Sequence, residues 1–82
     1  MQVSLTSNGS SAVKRHHGGP LYVQTLGDYS SGTLTVELDL GSGFVAEYSM
    51  TAPESRRFDF PVGDVRFTLA GATAPTIDIE VR

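Results

Sequence analysis

From Thr33 to Leu40 the chain reads TLTVELDL, with Leu34, Val36, Leu38 and Leu40 alternating with Thr33, Thr35, Glu37 and Asp39. Successive side chains of a strand point to opposite faces, so a period of two puts one face on a core and the other in water. Gly41-Ser42-Gly43 separates this run from a second one, in which Phe44, Ala46, Tyr48 and Met50 alternate with Val45, Glu47 and Ser49. A three-residue loop predicts a hairpin pairing Leu40 with Phe44, Leu38 with Ala46, Val36 with Tyr48 and Leu34 with Met50. In that register Glu37 faces Glu47, which is unfavourable. The apolar pairs outweigh it, at about 1.5–3 kcal/mol for each fully buried Leu, Phe or Val, and Arg56 or Arg57 is expected to relieve it.

The same alternation continues along the chain. Gln2 to Thr6 predicts an edge strand followed by an Asn8-Gly9 turn. Ala12–His17 and Leu21–Leu26 predict two strands separated by a Gly18-Gly19-Pro20 turn, because glycine frees the backbone and proline lacks a ladder donor. In the second of these, Leu21 and Val23 share a face, and Tyr22 and Leu26 lie on the other. Gly27–Gly32 is a polar loop, and Thr51–Glu54, which contains Pro53, a loop or sheet crossover.

Arg56–Phe60, Val65–Ala70 and Ile77–Val81 then predict a meander, turned first by Pro61-Val62-Gly63-Asp64 and then by Gly71–Thr76. Its expected pairs are Phe60 with Val65, Phe58 with Phe67, Asp59 with Arg66, Phe67 with Ile79, and Arg66 with Glu80. Asp78, Glu80 and Arg82 face away from the core. Short strands, turns every eight to twelve residues and no helical period predict an all-β protein. The expected architecture is a single small antiparallel β-sandwich, Ig-like or jelly-roll-like, of about seven to eight short strands spanning residues 1–82.

At 82 residues without cysteine, a chain buries only about 60% of its unfolded surface. It has no disulfide or thiolate metal site to reinforce it, so support from a partner is expected. A net charge of −3 argues against a dedicated nucleic-acid binder. No basic start followed by an apolar run marks a secretory signal, and no apolar run approaches the ~20 residues that cross a bilayer. The expectation is a protein made in a cytoplasm, with no nucleic-acid or membrane partner.

Candidate chemistry is sparse. His16 and His17 are adjacent and so point to opposite faces of a strand, with no third ligand at a metal-binding spacing. Ser30, His16 and Asp28 form a triad only on paper, because no nucleophile elbow or oxyanion motif accompanies them. There is no phosphate-binding glycine loop, calcium loop or assignable carboxylate pair. No catalytic, cofactor or metal residue is therefore assigned, and no enzyme activity is expected. Residues suited to a partner interface are Arg15, His17, Tyr22, Tyr29, Val45, Arg56 and Arg57, with Leu26 and Ala70 as apolar neighbours.

Read whole, the chain resembles a family of very small virion proteins of tailed bacteriophages. The resemblance rests on LTSNGSSAV, GGPLYVQTLG, SGTLTVELDL and FPVGDVRFTLAGATAPTIDIEVR. Related-looking chains often carry a DGG-x-W hairpin where this one has GSGFVAEY and no tryptophan. The resemblance implies a non-enzymatic structural protein located in the virion: a head decoration (cement) protein bound to the major capsid protein, or a head–tail or tail-fibre adaptor. It also implies a homo-oligomer, with a cupped trimer over a local three-fold axis of the capsid as the expected form. The competing class is a small carbohydrate- or protein-binding module.

Phe67 is placed at the centre of the expected core. Phe67→Ala should cost about 3–5 kcal/mol and abolish folding of the isolated domain, read as loss of the β-sheet circular dichroism signal; a near-neutral effect would mean that its strand is wrongly assigned.

Overall fold

Gly18-Gly19-Pro20 and Pro61-Val62-Gly63-Asp64 do not reverse the chain. In the computed structural model, which describes residues 1–82, each lies inside one long strand, and the two strands pair with each other. The elements are β1 (Gln2–Leu5), β2 (Gly9–Ser10), β3 (Lys14–Asp28), β4 (Thr33–Asp39), β5 (Phe44–Met50), β6 (Ser55–Ala70) and β7 (Thr76–Val81). All pairings are antiparallel, in the order β1-β7-β3-β6-β4-β5, with β2 on β6. The protein is all-β and folds as a small antiparallel β-sandwich.

The β3·β6 ribbon makes the corner between the two layers. Its register is unbroken from Lys14–Val65 to Gln24–Ser55, and Gly18 and Pro61 fall between the rungs His17–Val62 and Gly19–Phe60. Both strands change which parity faces inward at this place. In β3 the buried positions go from His16 to Leu21, Val23 and Thr25; in β6 they go from the half-buried Phe58 and Phe60 to Gly63, Val65, Phe67 and Leu69. Gly18 and Gly19 hold φ of 93° and 86°, values that L-residues with a Cβ rarely adopt. Pro61, between the same rungs of β6, holds its own φ at about −65° and so fixes the backbone at the bend. Corners of sandwiches are made by strands that change layer at such bends.

The first layer is β1-β7-β3-β6, using the second half of β3 and the first half of β6. The second is β5-β4-β6, using the second half of β6, with β2 and the start of β3 alongside. Leu21, Val23, Ile77, Ile79 and Val81 from the first layer pack with Leu34, Val36, Leu38, Met50, Val65, Phe67 and Leu69 from the second in one core. Phe67 is fully buried.

The expected meander is absent. Phe60–Val65, Phe58–Phe67 and Asp59–Arg66 are not pairs, because β6 takes β3 and β4 as neighbours instead of folding back on itself. β7 pairs with β1 and β3, so Phe67–Ile79 and Arg66–Glu80 are not pairs either. Asn8 does not close a hairpin: its side-chain amide donates to Ala72 O and accepts from Ala72 N, at 2.9 and 3.0 Å, anchoring the loop before β7.

The β4–β5 hairpin forms with part of its expected register. Leu34–Met50 and Val36–Tyr48 pair as expected, but a bulge at Glu47 then sets Glu37 opposite Ala46, Leu38 opposite Val45 and Asp39 opposite Phe44. The extra residue flips everything beyond it. Glu37 consequently avoids Glu47, and Phe44 turns to the outer face beneath the Arg66 guanidinium, 4.0 Å from its ring centroid. Arg66, not Arg56 or Arg57, neutralises Glu37, with Nε 2.7 Å from Oε1. The loop is closed by Asp39, whose Oδ1 accepts from Gly41 N and Gly43 N, leaving Leu40 exposed.

Two glycines separate backbone strain from steric blockage. A Cβ on Gly19 meets no atom within 4 Å, so Gly19→Ala should cost only the left-handed penalty of about 1–2 kcal/mol. A Cβ on Gly27 would land on the Thr76 carbonyl oxygen, so Gly27→Ala should cost more than about 3 kcal/mol. Urea unfolding of both variants measures the difference; equal costs would contradict the β3–β7 contact.

Candidate functional site

The outer face of the first layer collects the exposed residues that carry recognition chemistry. In β3, Leu21, Val23 and Thr25 point inward, so Tyr22, Gln24 and Leu26 point outward. The pairings set these beside neighbours in rows. Arg57, Tyr22 and Arg82 form one row, Ser55, Gln24, Glu80 and Gln2 the next, and Leu26, Asp78 and Ser4 the third. Tyr22 and Leu26 remain 53% and 57% exposed, a large residual apolar area for two residues on one strand.

Charges on this face are paired locally and remain reachable. Arg57 Nη2 lies 3.1 Å from Asp59 Oδ1, Arg82 Nε lies 3.3 Å from Glu80 Oε1, and Ser4 Oγ donates to Asp78 Oδ1 at 2.7 Å. Exposed pairs of this kind contribute little to stability, so they are free to exchange partners. An open cleft of about 520 Å³ runs beside Tyr22, lined also by Gln24, Ser55, Arg56, Arg57, Glu80 and Arg82.

No protein-family model, curated protein or solved structure matches the chain.

The structure separates the residues proposed for an interface. Tyr22, Arg56 and Arg57 meet around the cleft. Arg15 and His17 lie at the start of β3, where Arg15 pairs with Asp64 at 3.4 Å, and Val45 is exposed on β5. Tyr29 is not a surface residue. It is 4% exposed, and its hydroxyl donates to Thr25 Oγ1 at 2.6 Å, while Thr25 Oγ1 also accepts from Glu54 N at 2.9 Å. A tyrosine in a polar loop reads as exposed, yet here the loop folds under and the ring closes the end of the core. Arg82 and the acidic residues near it belong to the face, and their outward parity was legible; their closeness to Tyr22 was not, because it depends on β7 pairing with β3.

Arg56 works at the rim. Its Nε lies 3.0 Å from Glu54 Oε1, its guanidinium covers the Tyr48 ring at 4.6 Å, and the Tyr48 hydroxyl donates to the same carboxylate at 2.8 Å. Tyr48 also packs on Phe58, which stacks on Phe60. This knot ties β5 to the free edge of β6.

The groups considered for chemistry are placed apart. His16 is buried at the corner, with Nε2 3.0 Å from Gly19 O and its ring edge-on to Phe60, while His17 is exposed. Ser30 Oγ accepts from Ala74 N, and Asp28 accepts from Ser30 N, so the paper triad is not assembled. No three His, Cys, Asp or Glu side chains are grouped closely enough to hold a metal ion.

Two carboxyls are held below their ordinary range. Glu37 accepts from the Thr68 hydroxyl and then from Arg66, and Glu54 accepts from the Tyr48 hydroxyl and then from Arg56. A carboxyl with a depressed folded pKa adds stability above its unfolded value, here 4.5, and loses it as pH falls through the folded value. The urea midpoint should therefore drop on acidification below about pH 4.5. Glu37→Gln should start lower at neutral pH and show a shallower acid decline; an unchanged decline would mean that the Glu37 contacts are not formed in solution.

Proposed function

We propose that the chain is a non-enzymatic structural protein of a tailed-bacteriophage virion, of the head decoration (cement) type, stabilising the capsid by protein–protein contacts. The observation that carries this reading is the outer face of the first layer. Arg and Tyr are the residue types that anchor protein interfaces, and Arg57, Tyr22 and Arg82 stand in one row on a rigid sheet, with Leu26 two rows away. A core of thirteen buried apolar side chains is small, and a partner that binds only the folded chain adds to its stability by mass action.

The partners in this reading are other virion proteins, the major capsid protein first, together with further copies of the chain. The protein is made in the host cytoplasm and ends in the particle, and no cofactor, nucleic acid or membrane enters its function. A head–tail or tail-fibre adaptor would use the same docking chemistry at another position. The cleft beside the exposed Tyr22 ring favours a second reading, a small carbohydrate-binding module, since sugars stack on aromatic rings and hydrogen-bond to flanking Arg, Gln and Glu.

Mass spectrometry of purified particles should find the chain as a stoichiometric component, and Arg57→Glu with Tyr22→Ala should release it in co-sedimentation. Absence from the virion would overturn the proposal, and specific micromolar binding on a glycan array would replace it with the second reading.

A further inference from the structure

The outer face of the first layer is charged differently at its two ends. Arg57 and Arg82 flank Tyr22 at one end, where Asp59 offsets Arg57 at 3.1 Å, while at the other Asp78 sits beside Leu26, Asp28 follows it two residues along β3, and no cation faces either. Gln24 lies midway. Tyr22 and Leu26 are four positions apart on one strand, about 13 Å at the usual rise of ~3.3 Å per residue.

We infer that in the free protein, before any contact with a particle, this face is occupied by a second copy of the same chain in an isologous, face-to-face dimer with its strands antiparallel. A copy turned end over end, about an axis lying across the strands at Gln24, brings Tyr22 onto the partner's Leu26 and Arg82 onto the partner's Asp78. Symmetry forms each contact twice. The pattern is complementary to itself in this orientation, whereas an axis along the strands would set the arginine row against itself.

Arg82 is suited to the exchange because its side chain is 79% exposed and its pairing with Glu80 is local. Glu80 is the one charged group set against its own counterpart, and Arg82 is beside it to screen the repulsion.

The inference rests on reading this face as a docking surface but requires no virion. Sedimentation velocity of the full chain across a concentration series should show a reversible monomer–dimer equilibrium that weakens at high salt, because charge pairs at an interface rim are screened. Arg82→Asp and Asp78→Arg should each weaken the dimer about tenfold or more, and the double variant should recover most of the loss. Glu80→Gln should tighten it. Circular dichroism checks that each variant is folded.

A wild-type chain that stays monomeric overturns the inference. So does a dimer indifferent to these charge changes but lost in Ser4→Pro, which removes an outward N–H from the β1 edge; that result would assign the contact to edge-to-edge strand pairing. A trimer also overturns it. A monomer that still sediments with particles through Arg57 would retain the docking reading alone, while a charge-dependent dimer absent from particles would retain this inference alone.

Discussion

The antiparallel pairing of β3 with β6 through their shared bend is the constraint on which the other strand positions depend. Two strands of 15 and 16 residues are too long for one layer of a chain this size. Each belongs to one layer at its start and to the other at its end. The bend has to occur on the same rungs in both strands, or the ladder would be lost. Gly18 and Gly19 in one strand and Pro61 in the other meet that requirement, because the glycines accept a positive φ and the proline's φ is fixed by its ring. Once the ribbon turns, inward parity changes in both strands together, and a single core receives apolar side chains from both layers.

That arrangement leaves two edge types in the first layer. The β6 edge carries Arg56, Arg57, Asp59 and Pro61, the kind of charged and proline-bearing edge that resists strand addition. It is further covered by Tyr48 and its contacts with Glu54 and Arg56. The β1 edge carries no charged residue and no proline, and is blunted only by its length of four residues. Val81 and Met1 exchange both hydrogen bonds, so Gln2 and Ser4 turn their backbone polar groups to the open side.

The two outer faces differ in what their charges do. On the second layer, Glu37, Arg66, Thr68 and Ser10 form a connected set of hydrogen bonds, and Arg66 also covers Phe44. Those charges are half-buried and serve to hold strands in register. On the first layer the pairs are exposed, lie within or beside single strands and surround two uncovered apolar side chains. The docking reading is placed on the first layer for that reason.

Much of this structure was legible in residue order. Alternation located nearly every strand and sorted inward from outward positions in β4, β7, the second half of β3 and both halves of β6, because side-chain parity is a property of consecutive residues. Outward placement of Tyr22 and Arg82 followed from the same rule. Alternation carries no information about which strand lies beside which, so the long-range pairing of β3 with β6 and β7 had to come from packing. Glycine and proline mark a break in a ladder, but a chain reversal and a bend within a strand use the same residues. Packing also decided the bulge at Glu47, where cross-strand charge and ring contacts favour an extra residue, and the burial of Tyr29, where a partner hydroxyl on Thr25 satisfies its polar end inside the core.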